Sequence, residues 1–191
     1  MTKKVKKDAA IFIDRRSINL ELKKRGLSMD FEALINAINS SHNIVRAAVY
    51  DQFSSHEKSN ERIGKFIAFL KRALDISIVE GGLATLITDL MRYAPIYEVA
   101  ILVSAHPLAP RIAESVYKGL GKEVVGISLQ AKTGTELKLA CHEFYDLEEL
   151  GATNTRTPQN EESASNKVVK IKKQGEVEKE KDKKKKSEVA T

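Results

Sequence analysis

Cysteine is nearly absent from this chain of 191 residues, since Cys141 is the single one. One thiol can form neither an internal disulfide nor a cysteine-based zinc site. Long hydrophobic runs are missing too, because no apolar stretch approaches the length of about eighteen residues expected of a membrane span. The basic N-terminus precedes an apolar stretch that meets Asp14 too soon to be a secretory signal. We therefore expect a cytoplasmic protein without membrane association.

Positive charge is concentrated at the two ends of the chain. The sequence carries a net charge of +6. Residues 1–8 hold four lysines and one acid, and residues 151–191 hold eleven cations and seven acids, which leaves 9–150 close to −1. Basic tails favour nucleic-acid binding through phosphate neutralisation, and they also increase solubility. Composition alone leaves both interpretations open.

Composition also predicts three segments. Residues 1–8 form a basic N-terminal arm, and residues 9–150 form a globular domain with enough apolar residues for a core. Residues 151–191 form a tail rich in Lys and Glu, which we predict to be disordered from about residue 152.

Strand and helix patterns alternate across the globular segment. The predicted strands lie at 9–14, 44–50, 76–79, 99–103, 124–128 and 145–147. The predicted helices lie at 17–25, 30–39, 56–74, 81–92, 108–120 and 134–143. This alternation predicts an α/β fold with a mostly parallel central sheet and helices on both faces.

Two strand ends mark a candidate site, because α/β proteins bind ligands at the carboxyl edge of the sheet. Asp14 ends the first predicted strand, where its carboxylate can hold Mg²⁺ or Mn²⁺ or can cap the helix near Ser17. The loop that follows 99–103, Ser104 to Leu108, contains no acid. Gly81-Gly82 lacks the Gly-Lys-Ser/Thr that would complete a phosphate loop.

Five segments carry a family pattern in the same order and spacing: Ala10–Asp14, Gly82–Met91, Ala100–Ser104, Gly121–Val125 and Glu136–Leu147. Over about residues 9–148 they resemble the NYN domain, a PIN-like ribonuclease group that includes the LabA/DUF88 proteins. The resemblance implies a PIN-like, Rossmann-like α/β domain over 9–150. It also implies acids at strand ends that bind a divalent metal, which activates water for attack on an RNA phosphodiester.

The resemblance leaves Asp14 and Asp89 as the candidate catalytic and metal-binding acids. The other acidic or polar ligand positions of the family fall on Ser17, Leu83, His106, Leu108 and His142. Mg²⁺ prefers hard oxygen ligands, so a site with so few carboxylates should bind it weakly. The comparison therefore predicts a degenerate active site.

Basic and hydroxyl side chains can use the same crevice for nucleic acid. The candidate contacts are Arg15, Arg16, Ser17, Ser104, His106 and Arg111. Arginine offers forked donors to phosphate, but Arg15 and Arg16 can also pair with Asp14 and Asp89 or face solvent. His106 can contact a phosphate, act as a general base, or cap the helix near Pro107.

Three functions remain open at this point. The first is a degenerate NYN domain that binds RNA or a protein, with lost or weak nuclease activity. The second is an active Mg²⁺- or Mn²⁺-dependent endoribonuclease that uses Asp14 and Asp89. The third is a structural or self-association module without nucleic acid, and a homo-oligomer is compatible with all three. The missing acids favour the first.

Overall fold

The computed structural model describes residues 5–52, 60–130 and 132–155. The strands in these ranges are β1 (Asp8–Asp14), β2 (Leu27–Met29), β3 (Asn43–Asp51), β4 (Ser77–Glu80), β5 (Val99–Val103), β6 (Glu123–Ser128), β7 (Glu143–Asp146) and β8 (Thr153–Thr155). The helices are α1 (Arg15–Lys24), α2 (Phe31–Ser41), α3 (Glu61–Ala73), α4 (Leu83–Arg92), α5 (Ala109–Leu120) and α6 (Lys132–Ala140). The predicted helix at 56–74 is observed over Glu61–Ala73 with Asn60 outside it, and residues 53–59 lie outside the described residues. No helix in the described ranges has the length and apolarity to cross a bilayer.

Six of these strands form one parallel sheet in the order β4-β3-β1-β5-β6-β7. The predicted α/β fold with a parallel sheet is therefore confirmed. The chain first builds outward from β1 to β3 and β4, and then crosses back to place β5 on the other side of β1. A reversal of this kind opens a crevice beyond the carboxyl ends of the two central strands. Asp14 and the loop after β5 lie at this reversal.

Alternating side chains of β1 pack into two separate cores, one on each face of the sheet. Ile11 and Ile13 lie in the core covered by α1 and α2, with Ile18 among their neighbours. Phe12 points to the other face, where its ring is 6.4 Å from that of Tyr50 and 5.8 Å from that of Tyr97. Because both faces are covered, β1 reads as a continuous apolar run that ends in an acid.

A small antiparallel ribbon of β2 and β8 was not predicted. The backbone N–H of Asp30 donates to the carbonyl of Ala152 at 3.0 Å, and the Asn154 amide donates to the Asp30 carboxylate at 2.9 Å. This pairing corrects the expected disorder for residues 153–155. Residues 1–4 and 156–191 lie outside the described residues, so the basic arm and the disordered tail stay predictions.

Candidate functional site

A crevice of about 510 Å³ lies beyond the carboxyl ends of β1 and β3. Its walls come from α1, the Gly81-Gly82 turn and the loop after β5. Four of the predicted site residues line it: Asp14, Arg16, Ser17 and His106. The fold therefore brings the end of the first strand and the acid-free loop together, as the sequence predicts.

Both carboxylate oxygens of Asp14 accept hydrogen bonds from the protein. Oδ1 accepts from the backbone N–H of Ser17 at 3.3 Å, so that Asp14 is the N-cap of α1. Oδ2 accepts from the hydroxyl of Ser104 at 3.1 Å. The side chain is largely buried. Asp14 thus performs the capping role that the sequence offered as its structural alternative.

Two serines join α1 to the loop after β5. The Ser17 hydroxyl donates to the Asp14 carbonyl at 3.2 Å and accepts from the N–H of Ala105 at 3.0 Å. The Ser104 hydroxyl accepts from the N–H of His106 at 3.1 Å. Ser104 is completely buried. Its hydroxyl therefore holds the loop in place and is not exposed for the nucleic-acid contact that was predicted.

Asp51, at the end of β3, is a second acid in the crevice that sequence reasoning missed. Its Oδ2 forms an ion pair with Arg15, and its Oδ1 accepts from the N–H of Gln52 at 2.8 Å. The Arg15 guanidinium also lies 5.0 Å from the centre of the Phe66 ring. Arg15 is thus paired with Asp51. The sequence contains a signal for this acid, because Asp51 directly follows the predicted strand 44–50, much as Asp14 ends the predicted strand 9–14.

Asp89 is not among the residues that line the crevice. It lies six residues into α4 from Leu83, or about 9 Å along the helix axis. Its carboxylate accepts from the Tyr50 hydroxyl at 2.9 Å and is 3.6 Å from the Arg46 guanidinium. Burial and the neighbouring carboxylate raise the pKa of Tyr50. The predicted metal pair of Asp14 and Asp89 is therefore not assembled at the crevice.

The predicted basic contacts are divided between different surfaces. Arg16 is exposed, lines the crevice and lies 3.4 Å from the Gln52 side-chain oxygen. Arg111 lines a separate apolar groove of about 390 Å³ between α4 and α5. The expectation that Arg111 shares the crevice is therefore wrong, because the first turn of α5 points it elsewhere. His106 Nδ1 accepts from the N–H of Leu108 at 3.1 Å, which is the helix-capping alternative.

The donor set of the crevice does not fit a divalent metal. Within the described ranges, no group of three or more His, Cys, Asp or Glu side chains is placed to hold one. The acids that line the crevice are Asp14, Glu21 and Asp51. Glu21 pairs with Lys24 at 2.6 Å, and the two aspartates are occupied as described above. Mg²⁺ demands an octahedral set of oxygen ligands, and these carboxylates already share part of their lone pairs with protein donors.

Comparison with known proteins agrees with this architecture. The model of the NYN domain family matches residues 8–148, which run from β1 into the turn after β7. The chain belongs to the NYN domain family. No curated protein is detectably similar in sequence. The chain is also similar in fold to the crystal structure of a protein of unknown function from Vibrio parahaemolyticus, with a TM-score of 0.67. That chain is 16% identical, and the match covers 78% of this chain and 98% of the other, so the likeness concerns the fold.

Proposed function

We propose that this NYN domain binds RNA in the crevice and does not cleave it. The proposal rests on the contacts that the carboxylates of the two strand-end aspartates already form with the protein. The Asp14 carboxylate is held by Ser17 and Ser104, and the Asp51 carboxylate is held by Arg15 and Gln52. Carboxylates that already accept hydrogen bonds from the protein shape the crevice and offer fewer lone pairs to a metal.

The charge of the crevice supports binding without metal. Its lining acids are matched by Arg16 and Lys24 together with Arg15 beside Asp51. A phosphodiester can therefore approach without meeting an excess of negative charge. Arg16 is exposed and carries the forked donors that suit a phosphate. The basic residues at both ends of the sequence add long-range attraction for a polyanion.

A metal-dependent ribonuclease is the second candidate. It is favoured by the family and by the position of Asp14 and Asp51, which end neighbouring parallel strands. Asp89 does not line the crevice, and its carboxylate accepts from the hydroxyl of Tyr50, which does, so this second candidate uses Asp14 and Asp51 in place of the predicted pair. A metal at this site would have to use the lone pairs that these donors leave free on Asp14 and Asp51, or displace the donors.

Binding is tested by fluorescence anisotropy on the full chain with a labelled single-stranded RNA at several salt concentrations. Arg16→Ala should weaken binding and lower the slope of log K against log salt by about 0.7, the value expected for one lost phosphate contact. Arg111→Ala is the matched control, since it removes the same charge from an exposed position outside the crevice. Equal effects of both variants, or no RNA binding by the wild type, contradict the proposal.

Cleavage is tested on the same RNA with Mn²⁺ at millimolar concentration. The expected result is intact RNA with the wild type and with Asp14→Asn. RNA that is cut by the wild type and not by Asp14→Asn would replace the binding proposal by the nuclease.

A further inference from the structure

The layer of α4, α5 and α6 leaves apolar side chains uncovered on its outer surface. All three helices contribute to the same core on one side of the sheet, and α5 packs against α4 on one side and α6 on the other. Large apolar side chains are exposed on or directly beside these helices: Met91, Leu108, Tyr117 and Leu139. Leu139 is 85% exposed, so folding covers almost none of it. Exposed apolar residues gathered on one surface are typical of an interaction site.

Two grooves of different charge flank α5. The groove toward α4, of about 390 Å³, has Arg111 as the one charged side chain among the described residues that line it. The groove toward α6, of about 480 Å³, is lined by Glu114, Lys118 and Glu136. Glu114 and Lys118 form an ion pair with each other. Neither Arg111 nor Glu136 forms an ion pair within the described ranges. The layer therefore carries an unpaired cation on one side of α5 and an unpaired acid on the other.

We propose that a second copy of this chain covers the layer in a two-fold dimer, in which Leu139 of each copy enters the groove between α4 and α5 of the other. A two-fold axis parallel to α5 exchanges the two sides of this helix, so α6 of one copy lies over the α4–α5 groove of its partner, and each contact occurs twice. The same rotation brings Arg111 of each copy toward Glu136 of the partner subunit. Opposite charges then meet across the interface, which makes a second copy the complementary occupant of this surface.

The size of the layer suits a dimer that uses all three helices. Ser115 and Gly119 line the α4–α5 groove one helical turn apart, and their small side chains leave room for an inserted leucine. Helices of this length, about 14 to 18 Å, packed about 10 Å apart form a surface of roughly 450 Å² in projection. Side-chain relief adds to this area. A dimer near the standard size of about 800 Å² per partner therefore needs the whole layer and not the groove alone.

The charge pair is tested by exchange of its two members. Sedimentation equilibrium on the full chain without RNA, from about 1 to about 200 μM protein, should show a monomer–dimer equilibrium for the wild type. Arg111→Glu and Glu136→Arg should each weaken the dimer about tenfold, because each brings like charges together. The double variant should dimerise like the wild type, since the pair is restored with its charges exchanged. A double variant as weak as the single ones would show that the two residues do not meet, and it would overturn the proposed geometry.

The apolar contact is tested by Leu139→Gln in the same measurement, where the dimer should weaken about tenfold. Leu20→Gln is the matched control, because Leu20 is a 54% exposed leucine on α1, which packs against the other side of the sheet. Glutamine is a good helix former, so both variants should fold. A wild type that stays monomeric at every concentration overturns the proposal and leaves the layer to a different partner. A dimer that Leu20→Gln weakens as much as Leu139→Gln does, or that neither variant weakens, uses another surface and overturns it equally.

Discussion

The Ser104 hydroxyl donates a hydrogen bond of 3.1 Å to Oδ2 of Asp14 and so joins the loop after β5 to the end of β1. Both residues are buried at the reversal in strand order. The acid that the family would use as a metal ligand is thus a structural acceptor in this chain.

Loss of this hydrogen bond should destabilise the fold. Ser104→Ala leaves Oδ2 of a buried carboxylate without its donor, and we expect the free energy of unfolding to fall by roughly 1.5–3 kcal/mol. Ser128→Ala is the matched control, because Ser128 is equally buried on β6 and its hydroxyl has no hydrogen-bond partner among the described residues. That variant should be neutral or slightly stabilised. Urea denaturation measures both, and similar losses would show that Ser104 does not support Asp14.

Removal of the Arg15 guanidinium should expose Asp51 to metal. We expect Mn²⁺ at millimolar concentration to raise the Tm of Arg15→Gln more than that of the wild type, since a ligand that binds the folded state stabilises it. Arg16→Gln loses the same charge one residue away, but Arg16 contacts the side-chain oxygen of Gln52, and no carboxylate lies within hydrogen-bond distance of it in the part of the chain that the structure describes. A thermal-shift titration compares the three proteins. If Mn²⁺ shifts the Tm of Arg15→Gln and of the wild type equally, the Arg15 guanidinium does not block a metal-binding position at Asp51.

Asp30 should make stability depend on pH in the acid range. The N–H of Ala33 donates to its carboxylate at 2.9 Å and, with the Asn154 amide, lowers its pKa. A carboxyl with a lowered pKa in the folded state stabilises above its unfolded pKa, and this contribution is lost as pH falls through the folded value. Asp30→Ala should therefore cost about 1 kcal/mol at pH 7 and progressively less in acid. Urea denaturation between pH 2 and 7 measures the difference, and Asp30→Asn should keep most of the cap without the pH dependence. A difference that is constant with pH would contradict this assignment.

Cys141 should be unreactive in the folded protein. Burial raises the pKa of its thiol to about 12, so little thiolate forms near pH 8. An aromatic disulfide reagent should react slowly in buffer and quickly in urea, as followed by absorbance. Equal rates under the two conditions would show that the thiol is exposed in the fold.

Strong local patterns made the sheet and its helices predictable. The apolar run of β1 ends at Asp14, and Asp30 precedes a helix that it caps, as the sequence indicates. The ribbon of β2 and β8 escaped prediction because each strand has three residues and its partner is more than a hundred residues away. Such short segments carry no periodicity of their own.

The position of the crevice was predictable from the sequence, but not all the residues that line it were predicted. Strand ends must meet at one edge of a parallel sheet, so Asp14 and the loop after β5 were placed correctly. Asp89 and Arg111 lie on helices, where the direction of a side chain depends on how the helix packs. Asp89 lies beside the buried Leu86 and Leu90 of α4 and is therefore drawn to Arg46 and Tyr50. Arg111 faces the groove between α4 and α5.

The hydrogen bond from the N–H of Leu108 to His106 determines the tautomer of the imidazole as well as the start of α5. Because Nδ1 of His106 accepts that bond, the proton of the neutral ring belongs to Nε2. The family pattern has an acid at this position, which can only accept hydrogen bonds when ionised. His106 lines the crevice with a neutral ring whose Nε2–H can donate to a phosphate oxygen and which, in this tautomer, offers no free nitrogen lone pair to a metal ion.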